Sequence, residues 1–418
     1  MRRFDYVVIG AGPAGGAAAL ELARDVTAPS VALVGNEAHS PYERPPLSKS
    51  ALRSTSVAGP QSLFGGAPAL AAAGIVTFAP VIALSIDRVA RTVHLSSGGT
   101  LNYGHLLIAT GASARRLDTA GGDLPGVHYL RTHDDAVRLA PALSGGARLV
   151  VIGGGFVGLE VAATAKQAGC RVVVIEAGAR LMGRAVPPEI SFRVQRKFAT
   201  EGVEIRLNAS ITRLRGQDAV DAVELSSGEC IPADVVLAGI GAVPNDSLAG
   251  AAGLEVENGI VVDRDGQTSD PLIYAAGDVA SRLQQVDGHP AWRKRLEAWE
   301  PALEQGAAVA YAMLGRPPRP LPAPWVWSDQ FDWNLQFAGH GELADQTVAR
   351  HGDNADALTL FQLSRSCLVG AVTLNDSRNM ALCRRALDRP LKLDPRRLAD
   401  RDIPLKEALR PAAPSVSH

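Results

Sequence analysis

Residues 7–15 read Val-Val-Ile-Gly10-Ala-Gly12-Pro-Ala-Gly15, and residues 150–158 read Val-Val-Ile-Gly153-Gly-Gly155-Phe-Val-Gly158. Both segments carry the same spacing of glycines after the same apolar run. One GxGxxG motif is weak evidence, because glycines also cluster by chance. Two copies, each followed by an alanine-rich segment, predict two dinucleotide-binding units on one chain.

The residues around each motif have the order that such a unit needs. An apolar run precedes each set of glycines, an alanine-rich segment follows, and a second apolar run comes next. Because strands of parallel sheets are short and apolar on both faces, this order predicts a strand–turn–helix–strand unit twice. The predicted elements are a strand at Phe4–Ile9, a helix at Ala14–Arg24 and a strand at Val31–Val34, then a strand at Leu149–Ile152, a helix at Gly158–Ala168 and a strand at Val172–Ile175.

Further apolar segments end in small-residue turns and are predicted to be strands. They are Leu106–Gly111, Asp234–Gly239 and Ile273–Asp278. The last of them follows the second repeat, yet its Gly-Asp ending fits the first unit. We therefore expect the second dinucleotide-binding unit to be inserted into the first.

The end of the chain has a different pattern. The proline-rich stretch Arg316–Pro324 predicts a linker. Short segments with hairpin character follow, and Ser377–Leu387 is predicted to be a helix. The tail Pro411–His418 is predicted to be disordered. The expected fold class is α/β, with two Rossmann-like dinucleotide-binding domains of the disulfide-oxidoreductase-like kind and a C-terminal α+β domain.

Composition narrows the class of protein. A chain of 418 residues with a net charge of −1 fits a folded protein of two or three domains, without a global attraction to nucleic acid or anionic membranes. No apolar run approaches the ~20 residues of a membrane span. The four cysteines are scattered without a CxxC pair, which argues against a metal site and favours a reducing cytoplasm. No secretory signal is recognised, so a cytoplasmic location is expected.

The three glycines of each motif have separate roles. The first permits a tight turn, the second lets a pyrophosphate approach the backbone, and the third lets the helix pack on the strand. The helix N-terminus then presents N–H groups and a partial positive charge to the phosphates.

An acidic residue about 20 positions further on is expected to accept hydrogen bonds from ribose hydroxyls. Glu176 follows Gly158 by 18 residues. Its carboxylate would repel the 2′-phosphate of NADP, so NAD(H) is expected there. Arg180 is close enough in sequence to favour a phosphate instead, although a solvated arginine is the simpler interpretation. In the first copy Glu37, 22 residues past Gly15, is the candidate for the adenosine ribose of FAD.

Several further strings occur in a fixed order along nearly the whole chain. They are Tyr42-Glu-Arg44-Pro45-Pro-Leu-Ser-Lys49, Ala109-Thr110-Gly111, Gly277-Asp278, Arg295-Leu-Glu297-Ala-Trp299 and Trp325-Val-Trp327-Ser-Asp-Gln330. Together they closely resemble the FAD-dependent, NADH-dependent ferredoxin reductases of bacterial monooxygenase and dioxygenase systems, of the putidaredoxin reductase and biphenyl dioxygenase reductase type. The family's fold is similar to that of glutathione reductase.

The resemblance implies a domain plan and a set of cofactor contacts. It implies an FAD domain at 1–113 and 245–320, an NAD domain at 114–244 and a C-terminal domain at 321–418. For FAD it implies contacts from Gly10, Gly12, Ala14, Gly15, Glu37, Arg44, Pro45, Lys49, Ala109, Thr110, Gly111, Gly277, Asp278 and Trp327. For NAD(H) it implies contacts from Gly153, Gly155, Phe156, Val157, Gly158, Glu160 and Glu176.

The resemblance also implies the catalytic residues Lys49, Glu160, Glu297 and Trp327. Lys49 would approach the flavin near N5, where its charge can stabilise the reduced ring and be balanced by Glu160. Glu297 and Trp327 would flank the flavin or the nicotinamide. At spacing i, i+2, Trp325 and Trp327 are predicted to share one face of a strand. One departure is that Asn36 stands where the family often has Asp.

The segment before Lys49 lacks the cysteines that a disulfide reductase needs, and this separates the remaining classes of flavoprotein. A flavoprotein disulfide reductase needs a redox cysteine pair just before the position of Lys49, and Pro41–Ser48 contains none. Hydride transfer from NADH to FAD, followed by release of single electrons to a separate [2Fe–2S] ferredoxin, is therefore expected. The alternatives are a rubredoxin reductase, or an NADH-binding flavoprotein of the apoptosis-inducing-factor kind with slow NADH oxidation.

The ferredoxin partner is expected to be acidic and to dock transiently through electrostatic contacts, and it would in turn serve a P450 or Rieske-type oxygenase. Two basic segments are candidates for the docking face: Arg293–Arg295, and Arg378–Arg410, which holds ten Lys/Arg against five Asp/Glu. The protein itself is expected to be a monomer or weak dimer, without a metal site.

Overall fold

The computed structural model describes residues 2–53, 59–354, 356–389 and 391–411. The chain divides into two compact units, each assembled from three separated segments. Unit 1 comprises Met1–Glu43, Pro60–Ser113 and Val243–Pro324, and unit 2 comprises Arg44–Gly59, Ala114–Ala242 and Trp325–His418. The three-domain boundaries expected from the sequence stay a prediction.

Unit 1 is built on a sheet of seven strands around the first glycine motif. Parallel pairing joins Arg2–Ile9 to Val31–Val34 on one side and to Thr100–Ile108 on the other. Ile273–Ala275 pairs in parallel with Thr100–Ile108, so this late strand completes the first sheet as expected. The remaining strands of the sheet are Ile75–Phe78, Ala83–Asp87 and Thr92–Leu95.

Helices cover this sheet because its central strands are apolar on both faces. The helix Pro13–Ala23 packs with the helix Trp299–Met313. Leu22 of the first helix and the strand residues Leu33 and Leu107 are fully buried in the cluster that joins these helices to the sheet. Unit 1 also contains a smaller sheet, formed by the strands Ile260–Val262, Ala280–Gln284 and Trp292–Lys294. Its short helices are Gly66–Ala72, Ser247–Ala251 and Gly277–Val279.

Unit 2 contains a second parallel sheet around the second glycine motif. Arg148–Ile152 lies at its centre, between Arg171–Ile175 and Val235–Ala238. Glu204–Arg206 and Val127–His128 form the two edges, and the helices Phe156–Gln167 and Pro188–Thr200 belong to the same part of the chain. The accompanying elements are the antiparallel sheet Ile211–Arg215, Ala222–Leu225 and Cys230–Pro232, the helix His133–Leu139 and the short turn Ala140–Ala142.

The end of the chain adds an antiparallel sheet of five strands to unit 2. Its order is Trp325–Gln330, Trp333–Gly339, Cys367–Leu374, Leu358–Ser364 and Gln346–His351. The helix Ser377–Leu387 packs on this sheet through Met380 and Cys383, both of which are buried. Gly341–Leu343, Pro395–Ala399 and Leu405–Ala408 are short helical segments.

A side-chain latch joins the helix Pro188–Thr200 to the hairpin of this sheet. Lys197 Nζ lies 2.6 Å from an Asp332 carboxylate oxygen and 2.7 Å from one of Glu201. The rings of Phe198 and Phe331 meet edge to face with centroids 5.0 Å apart. This latch holds the C-terminal sheet against the second dinucleotide-binding fold inside unit 2.

The predicted strands and helices are confirmed, with shifts at their ends. The second fingerprint helix begins at Phe156, two residues before the predicted start, because Gly155 is its N-cap and the third glycine lies inside the first turn. The strands Ala112–Ala114 and Ala242–Pro244 are short additions. Of the tail predicted to be disordered, 412–418 lie outside the described residues. Among the residues described, no helix is both long and apolar enough to cross a membrane.

Candidate nucleotide and electron-transfer site

In unit 1 the first fingerprint has the geometry that its glycines predict. Gly10 has φ +116°, and a Cβ there would lie 2.1 Å from the Ala109 carbonyl oxygen. A Cβ at Gly15 would lie 1.8 Å from the Gly10 oxygen, so this glycine is needed for the helix to approach the strand. At Gly12 a Cβ would meet nothing within 4 Å. The loop therefore keeps one open side, where a pyrophosphate fits.

The second fingerprint repeats these relationships in unit 2. Gly153 has φ +105°, and its Cβ would lie 2.4 Å from the Gly239 oxygen. A Cβ at Gly158 would lie 2.3 Å from the Gly153 oxygen, whereas at Gly155 it would meet nothing within 4 Å. The first-turn N–H groups of each helix have no partner within the helix, so both loops suit an anionic pyrophosphate.

The acidic residue of the second site is fixed against its own loop. Glu176 Oε2 accepts a hydrogen bond from the Gly154 N–H at 2.8 Å, and Oε1 accepts one from the Gly178 N–H at 2.7 Å. Arg180 donates to the carbonyl oxygens of Gly183 and Val186 at 2.5 and 2.7 Å. The Arg180 guanidinium is thus engaged by the main chain, and so is the Glu176 carboxylate.

The acidic residue of the first site is held by a tyrosine. The Tyr42 hydroxyl donates to Glu37 Oε2 at 2.5 Å, and Tyr42 is 2 % exposed. Sequence reasoning did not single out Tyr42 for this role, although it starts the motif that contains Lys49.

Other predicted FAD contacts of unit 1 lie at the carboxyl ends of its strands. Thr110 Oγ1 donates to the Asn245 carbonyl at 2.7 Å, and Asn245 Nδ2 donates to the Thr110 carbonyl at 2.8 Å. Gly277, with φ +77°, donates its N–H to Gln305 Oε1 at 3.0 Å. A Cβ at Gly277 would lie 2.9 Å from the Ala14 Cβ, so Ala14 and the turn leading to Asp278 pack closely.

Glu297 lies in unit 1. Its carboxylate lies 2.6 Å from Arg295 Nη2, and Arg295 Nη1 donates to the Asp278 carbonyl at 2.8 Å. Arg295 thus stabilises the segment that follows the strand Ile273–Ala275.

The catalytic pair expected from the sequence is present within unit 2. Lys49 Nζ lies 2.9 Å from Glu160 Oε2, with side chains 18 % and 6 % exposed. Lys49 Nζ also donates to the Pro45 carbonyl at 3.1 Å, and Ser48 Oγ donates to the same carboxylate oxygen. The Thr164 hydroxyl donates to the Ser48 carbonyl at 3.1 Å. Arg44, at the start of this segment, donates to the Arg131 carbonyl at 2.8 Å.

Two residues from the C-terminal sheet complete the cluster. Ser328 Oγ donates to Glu160 Oε1 at 2.6 Å, and Gln330 Nε2 donates to Ser328 Oγ at 3.1 Å. Both are buried, at 0 and 3 % exposure. Neither was identified from the sequence, although both stand in the Trp325–Gln330 string.

The paired tryptophans share one strand face, as predicted. Their rings are stacked at 4.9 Å and 21°. Trp325 Nε1 donates to Gln336 Oε1 at 3.0 Å, and the Arg384 guanidinium lies 4.7 Å from the Trp325 ring centroid. Trp327 is partly exposed at the other end of this stack.

The predicted NAD contacts Phe156 and Val157 form the first turn of the fingerprint helix. The Phe156 ring packs against Phe337 with centroids 5.3 Å apart, which anchors this turn to the C-terminal sheet. Val157 is 43 % exposed, so the turn has an accessible apolar surface beside the open glycine loop. In the described part of the chain, no group of three or more His, Cys, Asp or Glu side chains is placed to hold a metal ion.

Comparison with known proteins places the chain in a family. Residues 4–306 match the pyridine nucleotide-disulphide oxidoreductase family, and residues 325–409 match the reductase C-terminal domain. The chain therefore belongs to the pyridine nucleotide-disulphide oxidoreductases. Enzymes of this family bind FAD and NAD(H), so the fold class, enzyme class and cofactors expected from the sequence are confirmed at that level.

Relatives with similarity over almost the whole chain are ferredoxin reductases. Rhodocoxin reductase of Rhodococcus erythropolis is 37 % identical over 96 % of this chain and 94 % of its own. Putidaredoxin reductase of Pseudomonas putida is 36 % identical over 99 % of this chain and 98 % of its own. The resemblance stated from the sequence is thus confirmed.

Solved structures give the same result. The reductase in the covalent putidaredoxin reductase–putidaredoxin complex has a TM-score of 0.92 at 35 % identity and covers 98 % of both chains. The ferredoxin reductase for the CYP199A2 system of Rhodopseudomonas palustris has a TM-score of 0.90 at 36 % identity, covering 97 % of this chain and 100 % of that one.

Proposed function

We propose that this chain is an NADH-dependent ferredoxin reductase that delivers single electrons to a [2Fe–2S] ferredoxin, which in turn supplies a P450 or Rieske-type oxygenase. The observation that carries the proposal is the buried Lys49–Glu160 pair, together with the absence of cysteine from Pro41–Ser48, the segment directly before Lys49. The relatives support it, because ferredoxin reductases recur among them.

The residues proposed to hold FAD are those of the first fingerprint, with Glu37, Thr110 and Asp278, together with Arg44, Pro45, Lys49 and Trp327. The open space at Gly12 supports this assignment, since that is the side on which a pyrophosphate could approach the backbone. When bound, FAD supplies the step between the two-electron donor NADH and a one-electron acceptor.

Lys49 and Glu160 have complementary tasks in this proposal. The Lys49 ammonium places a positive charge that favours an electron-rich flavin ring, while Glu160 and the Pro45 carbonyl hold that ammonium in one position. A buried ammonium without a carboxylate partner would be costly, so the pair is needed for the charge to exist there. Glu297 and Trp327 are proposed to flank the flavin or the nicotinamide.

NADH is proposed as the donor in preference to NADPH. Glu176 is oriented by two main-chain N–H groups, and Arg180 is engaged by carbonyl oxygens. A 2′-phosphate beside Glu176 would therefore meet a negative charge, while the Arg180 guanidinium is already engaged by the main chain.

The docking face is proposed on the C-terminal basic segment. Arg293 donates to the Val262 carbonyl at 2.7 Å, and the Arg295 side chain is only 9 % exposed, so Arg293–Arg295 supports the fold of unit 1. The exposed basic residues of the other candidate segment are Arg378, Arg385, Arg389, Lys392, Arg396, Arg401, Lys406 and Arg410. An acidic ferredoxin that docks there would do so through a small, salt-sensitive contact. A cytoplasmic location and a monomeric or weakly dimeric state belong to the same proposal.

The test is reduction of cytochrome c by NADH with a panel of purified ferredoxins and rubredoxins. We expect turnover with a [2Fe–2S] ferredoxin, a preference for NADH over NADPH, and a steep fall with added salt. Turnover with rubredoxin alone would identify a rubredoxin reductase. Reduction of the bound flavin far slower than reductase turnover, with a long-lived charge-transfer complex, would contradict the proposal.

A further inference from the structure

A directional chain of hydrogen bonds runs from the strand Trp325–Gln330 to Glu160. Gln330 Nε2 donates to Ser328 Oγ at 3.1 Å, and Ser328 Oγ donates to Glu160 Oε1 at 2.6 Å. Because side chains alternate along a strand, Ser328 and Gln330 lie on the same face, opposite the face that carries Trp325 and Trp327.

The direction of the chain follows from the number of protons. A serine hydroxyl has one proton, an amide nitrogen only donates, and a carboxylate only accepts. With Gln330 donating to its oxygen, Ser328 must use its one proton on Glu160. The Gln330 nitrogen also lies 3.9 Å from Met182 Sδ, a weak acceptor that suits its second N–H. The Gln330 amide is therefore oriented so that the Ser328 hydroxyl points its proton at Glu160.

The two oxygens of Glu160 are held from two different parts of the chain. Lys49 and Ser48 donate to Oε2, while Ser328 donates to Oε1. Buried polar groups cost stability unless they are hydrogen-bonded, and Ser328 supplies this donor to Oε1 of the buried carboxylate. A role limited to stability would leave the charge presented by Lys49 unchanged, so the flavin potential distinguishes that role from a positioning role.

Charged side chains on the neighbouring elements are engaged elsewhere. Asp329 accepts from Asn334 Nδ2 at 2.7 Å, and Arg148 pairs with Asp234. Arg171, at the start of its strand, is exposed. The contacts that the structure gives Glu160 are thus the ammonium of Lys49 and two hydroxyl groups.

We propose that Ser328, oriented by Gln330, is a positioning residue that fixes the rotation of the Glu160 carboxylate, so that Oε2 stays against Lys49. The inference rests on the proposed function only in assigning Lys49 to the flavin. Without the Ser328 hydroxyl, the carboxylate can rotate and its charge no longer compensates the Lys49 ammonium fully.

The test measures the midpoint potential of the FAD-bound protein by spectroelectrochemical titration. Glu160→Gln leaves the Lys49 charge uncompensated, which favours the electron-rich reduced flavin and shifts the potential in the positive direction. Ser328→Ala is expected to shift it in the same direction by less, and to add nothing in the Glu160→Gln background.

The matched control is Ser364→Ala. Ser364 is a buried serine of the same sheet whose hydroxyl donates to a different carboxylate, Asp345 Oδ2, at 3.4 Å. It should leave the flavin potential unchanged. If Ser328→Ala does not retain FAD, Gln330→Met is measured in its place. This substitution retains the size of the side chain and removes its hydrogen-bond donor, and it should shift the potential in the direction expected for Ser328→Ala.

Three results would overturn the inference. They are an unchanged potential in Ser328→Ala, an equal shift with and without Glu160, or an equal shift in Ser364→Ala. The titration requires neither NADH nor a ferredoxin. A protein that fails to reduce any ferredoxin would therefore refute the proposed function while the coupling of Ser328 to Glu160 is still measured.

Discussion

Lys49 Nζ lies 2.9 Å from Glu160 Oε2, and the Glu160 side chain is only 6 % exposed. Removing one member of such a pair leaves the other as an uncompensated charge. Lys49→Met should lower the free energy of unfolding by about 3–5 kcal/mol, as measured by urea denaturation. Lys49→Met combined with Glu160→Gln should lose less than the sum of the single changes.

Arg116→Met is a suitable control for this experiment. Arg116 and Asp123 form an ion pair of similar length, but their side chains are 65 % and 87 % exposed. Its removal should cost less than about 1 kcal/mol. Equal losses for Lys49→Met and Arg116→Met would contradict the importance of burial.

The middle glycine of each fingerprint can be replaced to test the binding of one nucleotide at a time. A Cβ at Gly12 or Gly155 meets no atom within 4 Å, so Gly12→Ala and Gly155→Ala should both fold. The added methyl group enters the space assigned to a pyrophosphate. Gly12→Ala should therefore lose FAD, while Gly155→Ala should keep FAD and bind NADH at least tenfold more weakly, as measured by flavin absorbance and NADH titration.

Gly15→Ala separates packing from ligand binding. Its Cβ would overlap the Gly10 carbonyl oxygen, so the variant should fail to fold or should unfold at a much lower temperature. Retention of FAD by Gly12→Ala, or an unaltered melting temperature in Gly15→Ala, would show that the glycine roles are wrongly assigned.

Glu176 should determine the choice of nucleotide. Glu176→Ala removes a negative charge near the expected 2′ position and also frees the Gly154 and Gly178 N–H groups. We expect KM for NADH to rise and KM for NADPH to fall, changing the ratio by about tenfold or more. Steady-state kinetics with both nucleotides measures this, and Glu204→Gln on the neighbouring strand serves as the control. A ratio unchanged in Glu176→Ala would refute the role.

The Lys197 latch should make stability depend on pH. A hydrogen bond from Lys197 holds the pKa of Asp332 below its usual value. A carboxyl group whose folded pKa is lowered stabilises the fold above its unfolded pKa, and this contribution is lost as the pH falls through the folded value. Asp332→Asn should therefore be less stable at pH ~7 by under 1 kcal/mol, since the carboxylate is largely exposed.

That difference between wild type and Asp332→Asn should shrink towards zero below about pH 3. Urea titrations at the two pH values measure it. A difference that persists unchanged in acid would mean that the latch does not depend on the charge of Asp332.

The two buried thiols, Cys170 and Cys383, should be inert in the folded protein. Burial raises the pKa of the Cys383 thiol to about 12 and raises that of Cys170, whereas Cys230 is exposed. Iodoacetamide at pH ~8 should modify Cys230 and leave Cys170 and Cys383 unreacted until the protein is unfolded. Mass spectrometry reports the sites. Cys230→Ser should retain NADH oxidation, and its loss would implicate a thiol in the reaction.

The local sequence pattern predicted those strands, turns and helices whose formation depends on residues close together in the sequence. The fingerprints give strand, turn and helix because the first and third glycines are required by contacts within a few residues or with the adjacent strand. The helix Ser377–Leu387 also has the predicted bounds, since its helical periodicity is unambiguous.

The hydrogen bonds of the site depend on distant segments and were not predictable in this way. Nothing near Ser328 in sequence indicates that its hydroxyl reaches Glu160, and Tyr42 carries no sign that it binds Glu37. The prediction that Lys49 lies beside Glu160 came from the family resemblance and not from the local pattern around either residue. Arg293–Arg295 illustrates the opposite case, because a basic run in the sequence proved to be partly internal once its partners were known.

The order in which the chain is synthesised gives the Glu160 cluster a further property. The donors to its carboxylate stand on both sides of it in sequence, at Ser48–Lys49 and at Ser328. A nascent chain that has just completed the helix Phe156–Gln167 contains only two of the three partners of the Glu160 carboxylate. The cluster can close only after the ribosome has added the strand Trp325–Gln330, so a chain released early would carry both glycine loops and yet lack the complete Glu160 cluster.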